Sequence, residues 1–305
     1  MFIRIIFSLV IVLGLTGNVA AAEKFIIGFA QDNMSNDWRA AQVKEVETAL
    51  KAYPNVEFIF TDAGGSVPQN IEDIEDLVDR KINLLMVSPR DPRIMTPVIS
   101  TFYKKGIPVI LLTRRILSND YTTFIGANDS IIAAGAADQI AKALNGKGKV
   151  FVLQGVPTAT TAINRTKGFV ERMKVHPGIE IVAIETAKYQ RGEAVKVIQD
   201  SLEKGTKFDA IYAQSDSMAA GARLALKAFG LDPKSIPIVG IDYISEAREA
   251  IRDGNQYASF LYPTAGKKAA EIAIRILKGE SVDREIGIPS QMVTHKNVDQ
   301  VKPIF

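Results

Sequence analysis

Apolar runs of strand length alternate along almost the whole chain with apolar residues spaced three and four apart. Phe25-Ile26-Ile27 opens the first run, Val56 to Phe60 the second and Ile82 to Val87 the third, with Ile107 to Leu112 and Tyr121 to Ile125 after them. Between these runs, Val43, Val46 and Leu50 form one helical stripe, and Ile71, Ile74, Leu77 and Val78 form another. The spacing predicts helices over about Asn36–Ala52 and Arg93–Lys104. The pattern restarts near Asn128. A helix carrying Ile132, Ala136, Ile140 and Leu144 precedes the strand Lys149–Gln154, and a turn and helix occupy Thr158–Met173. Strands are predicted at Ile179–Ile184, Asp209–Ala213, Pro237–Ile241 and Tyr257–Leu261. Helices carrying Val195, Ile198 and Leu202, then Met218, Ala222 and Ala225, lie between them, and a last helix spans Ala265–Leu277.

Such regular alternation predicts an α/β protein with parallel, doubly wound sheets and right-handed crossovers. About ten strands are too many for one compact sheet domain. The restart near Asn128 divides them into two similar lobes of ordinary domain size.

The 305 residues are 47% hydrophobic and 23% charged, with a formal net charge of +3. No Lys/Arg block is long enough for a nucleic-acid surface; Lys104-Lys105, Arg114-Arg115 and Lys267-Lys268 are isolated pairs. The first residues stand outside the α/β pattern. Arg4, the apolar stretch Ile5–Leu15 and the small residues Ala20-Ala21-Ala22 have the layout of a secretory signal peptide over 1–22, with Glu23 first after cleavage. Loss of Arg4 would take the net charge from +3 to +2. The mature chain is expected to be exported. With no cysteine in the chain, thiolate metal sites, a cysteine nucleophile and disulfides are excluded.

The enzyme motifs fail in turn. No Gly-x-Gly-x-x-Gly follows a strand, and neither a P-loop nor a Gly-x-Ser-x-Gly elbow is present. Two histidines, His176 and His295, fall away from the expected strand ends, and no metal site or cofactor is expected. Asp32 or Asp37 with Asp242 would be the carboxylate pair for glycoside chemistry. What the strand ends do carry is Asn36, Trp38 and Arg39; Arg114; Asn164 and Arg165; Tyr189; Ser215 and Asp216; and Asp242. Trp38 is the single tryptophan. An aromatic plate beside a planar donor fork suits a polyhydroxylated ring, whose C–H faces stack and whose hydroxyls accept. The competing reading is a core tryptophan with a solvated Arg39. Aromatics, arginines and one or two acceptors without a nucleophile or base make an inventory for binding, with no catalytic residue.

Several stretches in this order carry a family resemblance. They are Asn36-Asp37-Trp38-Arg39; Ile107 to Arg114; Leu153-Gln154-Gly155 followed by Arg165-Thr166-Lys167-Gly168-Phe169; Tyr212 to Ala222; and Val239-Gly240-Ile241-Asp242. With them the chain resembles the periplasmic sugar-binding proteins of ABC importers, in the type I, ribose- and galactofuranose-binding group. The resemblance implies two Rossmann-like lobes, 23–127 plus 262–289 and 128–261 plus 290–305. Three crossings near 125–129, 257–263 and 287–291 would join them and close on a monosaccharide. It also implies that Trp38 stacks on the sugar, with Tyr189 a second aromatic. Arg114 and Arg165 would donate to hydroxyls, Asp242 would accept and act as their counterion, and Asn36, Arg39, Asn164 and Ser215 would complete the site. The implied partners are a sugar or sugar derivative and the permease of an ABC transporter. In a sensory alternative, an autoinducer-2-like or sugar receptor, the partner is a membrane kinase or chemoreceptor. A monomer is expected. Thr113 and Ser215 stand where the family usually has aspartate and asparagine, Tyr243 where it has glycine, and Leu261 or Tyr262 at the hinge glutamine.

Overall fold

A computed structural model describes residues 23–305, so the signal-peptide reading over 1–22 lies outside the described residues. The first half of the chain runs β1 Phe25–Gln31, α1 Asp37–Leu50, β2 Val56–Asp62, α2 Val67–Asp79, β3 Leu84–Val87, α3 Pro92–Lys104, β4 Val109–Leu112 and β5 Thr123–Gly126. The second begins α4 Asp129–Ala143, β6 Gly148–Gln154, α5 Thr160–Met173, β7 Ile179–Thr186, α6 Arg191–Glu203, β8 Ala210–Ala213 and α7 Asp216–Ala228. It ends with β9 Ile238–Val239, α8 Ser245–Arg252, β10 Ala258–Phe260, α9 Gly266–Leu277, β11 Glu285–Gly287 and β12 Met292–Thr294.

The strands form two six-stranded sheets, ordered β11-β5-β4-β3-β1-β2 and β12-β10-β9-β8-β6-β7. The short central strands β3, β4 and β8 are buried along their whole length, because helices cover both faces of each sheet. That is why they read as unbroken apolar runs. Phe29, Met86 and Ile110 pack with α1 and α9 on one face of the first sheet. Leu85, Leu111 and Ile99 pack with α2 and α3 on the other. One pairing departs from the parallel expectation: β12 runs antiparallel to β10. A parallel neighbour needs a long crossover, whereas β12 follows β11 of the other sheet after only residues 288–291 and enters from the opposite direction.

The chain leaves the first sheet after β5, returns to it after β10, and leaves it again after β11. In each sheet the order reverses beside the first strand of its half, between β1 and β3 and between β6 and β8. Crevices at such reversals, outside the carboxyl ends of the strands, are where open α/β sheets bind ligands. Here the two crevices face each other.

Candidate functional site

The loops after β1, β3 and β4 meet those after β7, β8 and β9 around a cleft with an empty volume of about 470 Å³. The two halves already touch across it. Asn36 Nδ2 donates to the Tyr189 carbonyl at 2.8 Å, Thr158 Oγ1 to the Arg90 carbonyl at 3.0 Å, and the Arg115 amide to Thr160 Oγ1 at 3.0 Å.

The wall from the first sheet is built on Asp32, the residue after β1. Its Oδ2 lies 2.8 Å from Arg114 Nη1 and 3.0 Å from Arg90 Nη1, and its Oδ1 lies 3.6 Å from Arg39 Nε. Burial alone would raise this carboxyl's pKa; Arg114, Arg39 and Arg90 outweigh it and hold the pKa below the ordinary value. Arg39 is driven down to about 10, by burial first and by repulsion from Arg114 second. Its Nη1 donates to Ser88 Oγ at 2.9 Å and Thr113 Oγ1 at 3.1 Å. Arg39 is therefore buried, not solvated.

Trp38 enters this wall from the start of α1, where the Asn36 side chain caps the helix by accepting the Arg39 N–H. The indole Nε1 donates to the Tyr262 carbonyl at 2.9 Å, and the two rings meet edge to face at 5.6 Å. The Arg39 guanidinium sits 4.9 Å from the indole centroid. Trp38 is 5% exposed and packs in the core of the second lobe, and it also lines the cleft.

In the opposite wall, Arg165 comes from α5. Its Nε donates to Asp129 Oδ1 at 2.8 Å, its Nη1 to the Gln214 carbonyl at 2.5 Å, and its guanidinium lies 4.5 Å from the Tyr262 ring. Tyr189 presents its ring beside Gly155, where any Cβ would stand 2.0 Å from the ring, so the close approach requires glycine. Ser215 caps α7, accepting the Met218 N–H at 3.2 Å.

Asp242 follows β9 with φ +115°, and among the described residues no ion pair within 4.0 Å reaches its carboxylate. Burial pushes its pKa well above the ordinary value, with a further push from the charge of Asp216 and against the pulls of Arg165 and of the Asp216 N–H. Asp242 is thus not the counterion of the arginines. Asp32 takes that place for Arg114 and Asp129 for Arg165. Thr113, Lys188, Tyr189 and Asp242 all line the cleft with positive φ, a strained backbone that collects at functional sites.

Eight of the nine candidate residues line the cleft. Asn164 does not; it opens onto a separate depression with Arg115, Asn128 and Glu285. Successive helical side chains diverge by about 100°, so turning Arg165 inward turns its neighbour away. Sequence reasoning missed Arg90, the structural parts of Asp32 and Asp129, and the placement of Tyr262 in the cleft. Asp32 and Arg90 each sit one to three residues beyond a strand, the same signal that marks Arg114. Among the described residues no group of three or more His, Cys, Asp or Glu is placed to hold a metal ion, and no helix is long and apolar enough to cross a membrane.

Residues 27–281 match the model of the periplasmic binding protein domain. A xylitol-binding protein of Mycolicibacterium smegmatis is 29% identical over 259 residues, covering 83% of this chain and 73% of the relative. The fructose-binding periplasmic domain of a hybrid two-component system superposes with a TM-score of 0.86 at 33% identity, covering 90% of this chain and 92% of that one. An ABC transporter solute-binding protein of Bacillus halodurans with bound myo-inositol gives 0.86 at 27% identity, over 92% and 98% of the two chains. The chain belongs to the periplasmic binding protein family, among its type I sugar-binding members.

Proposed function

We propose that this chain is a periplasmic solute receptor that encloses a monosaccharide, in pentose, hexose or furanose form, between two closing lobes and delivers it to the permease of an ABC importer. The observation that carries the reading is the opposition of two unlike walls across one cleft: guanidinium groups gathered on Asp32, facing the unpaired carboxylate of Asp242, with Trp38, Tyr189 and Tyr262 between them. A sugar hydroxyl both donates and accepts, and a sugar ring offers apolar faces, so one molecule answers all three. Arg39, Arg114 and Arg165 donate and Asp242 accepts. Ser215 keeps its hydroxyl proton for the ligand, because its oxygen is engaged as the cap. Asn36 spends one side-chain atom on the cap and the other on Tyr189, so it acts in closure.

The lobes, 23–127 with 262–289 and 128–261 with 290–305, move as two bodies about the three crossings, and sugar favours the closed arrangement because both walls reach it only there. A thermal-shift screen of aldoses, ketoses, furanoses, sugar acids and inositols on residues 23–305 tests the reading. Stabilisation by several degrees with a neutral sugar is expected, since a ligand of the native state adds RT ln(1 + [L]/Kd). No response from any of them would sink it. The 33% identical fructose-binding sensor domain favours a second reading, delivery of the closed state to a membrane kinase. A gene neighbourhood with a permease and ATPase, or with a histidine kinase, separates the two.

A further inference from the structure

Asp216 lines no part of the cleft, yet it grips the backbone on both sides of Asp242. Its N–H donates to the Ile241 carbonyl at 2.6 Å. Its Oδ2 accepts the Tyr243 N–H at 2.6 Å and the Ser259 hydroxyl at 2.6 Å, and its Oδ1 accepts Gln256 Nε2 at 2.7 Å. Arg223 Nη1 donates to the other end of the Gln256 amide, which fixes the NH2 toward Asp216. The chain passes so close over this carboxylate that a Cβ at Gly240 would stand 1.9 Å from Asp216 Oδ1. Immediately beyond, Asp242 and Tyr243 take φ of +115° and +58°, two consecutive non-glycine residues in the left-handed region. Such a turn persists only where its surroundings over-determine it.

We propose that Asp216 is a positioning residue of the binding site, its carboxylate holding the strained turn that aims Asp242 at the ligand and its charge acting on Asp242 through that turn. The inference rests on the reading of the cleft as a ligand site. Two carboxylate oxygens here serve three donors. Once protonated, one oxygen becomes a donor and a much weaker acceptor, so its hold on the donor it serves loosens. Burial pushes Asp216 up to about 6, against the pull of Ser259, Gln256, the Tyr243 N–H and Arg223. The charged groups around it are Arg223 on its own helix, Asp242 on the turn, and Glu246 on α8, which pairs with Arg223 at 3.2 Å. The turn is therefore held near neutrality and released on acidification through that range. The charge of Asp216 also makes Asp242 harder to ionise.

The test follows the Tyr243 amide and the Asp242 carboxyl by NMR in residues 23–305 and in Asp216→Asn, without ligand. In the wild-type chain the Tyr243 amide should titrate with a midpoint near pH 6, the value set by Asp216, and the variant should lose that transition. The Asp242 midpoint should fall in the variant by about half a unit or more. Calorimetry with D-fructose and myo-inositol adds a second arm. Whichever binds should bind Asp216→Asn about tenfold more weakly at pH 7.5, with a smaller gap at pH 5.5. A residue that only supports the fold would not move the Asp242 midpoint or the pH profile. Ser259→Ala keeps the carboxylate and serves if Asp216→Asn does not fold. Loss of that donor should move the Tyr243 midpoint upward. A Tyr243 amide flat between pH 5 and 7, or an Asp242 midpoint identical in all proteins, overturns the proposal. If neither sugar binds but the midpoints behave as expected, the positioning role stands and the choice of sugar class is what fails.

Discussion

The two walls of the cleft each contain a buried aspartate after a strand, and the two aspartates meet opposite fates. Asp32 in the first wall is surrounded by three guanidinium groups and held in its ionised form. Asp242 in the second has no ion-pair partner and is pushed toward its neutral form by burial. The same side chain is structural in one wall and free in the other. The difference teaches how a receptor divides its carboxylates: one is consumed in preorganising cations, and one is left for the ligand to satisfy. Arg165 and Asp129 repeat only the ion pair on the second side, since burial there still raises Asp129, so what sets Asp242 apart in its wall is the lack of an arginine within 4.0 Å.

The sharpest way to break this contrast is to remove each carboxylate in turn from the ligand-free protein. Asp32→Ala strands the arginines it holds and should cost about 3–5 kcal/mol of stability, the range for breaking a buried ion pair. Urea denaturation measures it. Asp242→Asn should cost almost nothing in the same assay, since burial already pushes that carboxyl toward its neutral form and no ion pair is lost. Equal losses in both variants would mean that the two aspartates do the same work.

The contrast also has a pH signature, smaller but with opposite signs. Asp32 has a lowered pKa, so its stabilisation is present above the unfolded value of 3.8 and is lost as pH falls through the folded one. Asp242 and Asp216 have raised pKa values, so between 3.8 and those values the native state holds the extra protons. There stability falls as pH rises. Acidifying from pH 7.5 to 5 should therefore stabilise the ligand-free protein and raise its melting temperature, with Asp216 contributing about 1.4 kcal/mol for the one unit below its value of about 6. Further acidification below 3.8 should reverse the trend. Scanning calorimetry across that range would expose a monotonic profile, which the two-wall account does not allow.

Ligand affinity reverses the ranking of the two walls. Asp242→Asn, mild for stability, should weaken a neutral sugar by about 1 kcal/mol, the net worth of a typical hydrogen bond, which is roughly fivefold in Kd. Arg165→Lys should weaken it by about tenfold, because an ammonium cannot reproduce the guanidinium fork that reaches Asp129 and Gln214 at once. Unchanged affinity in Asp242→Asn by calorimetry would remove the free carboxylate from the site.

How far the sequence foretold this contrast depends on which step of structure each residue needed. The strand–helix alternation fixed which residues fall at carboxyl ends, and so brought Trp38, Arg114, Tyr189, Ser215 and Asp242 to one cleft. That step is local. Partners are not local: Asp32 meets Arg90 and Arg114 only after three strands are laid side by side in the order β1-β3-β4. Asp129 meets Arg165 through the packing of α4 on α5. Hence the counterion was misplaced on Asp242 although the arginines themselves were legible. Asn164 failed for a still finer reason, the rotation of one helix about its axis. The antiparallel β12 depended on a chain path between lobes that no local pattern records.

The smallest expected effect lies at the rim, where the two lobes share an exposed ion pair. Arg191 Nη2 stands 2.5 Å from Glu246 of its own lobe and 3.8 Å from Asp37 across the cleft, and both cross-cleft side chains are about half exposed. An exposed pair contributes about 0–1 kcal/mol, and one this long sits at the low end. The closed form does not depend on it, because the buried Asn36 amide spans the same gap to the Tyr189 carbonyl at 2.8 Å. Asp37→Ala should therefore change sugar affinity by no more than about twofold at low salt, and 0.5 M salt, with a Debye length of roughly 4 Å, should erase even that. Asn36→Ala should cost more and keep its cost in salt, since its hydrogen bond is shielded from solvent. Calorimetry on the two variants at both salt levels makes the comparison. A tenfold loss in Asp37→Ala that salt abolishes would place control of closure in the charges of the rim, and the unlike walls would then govern only which sugar is held.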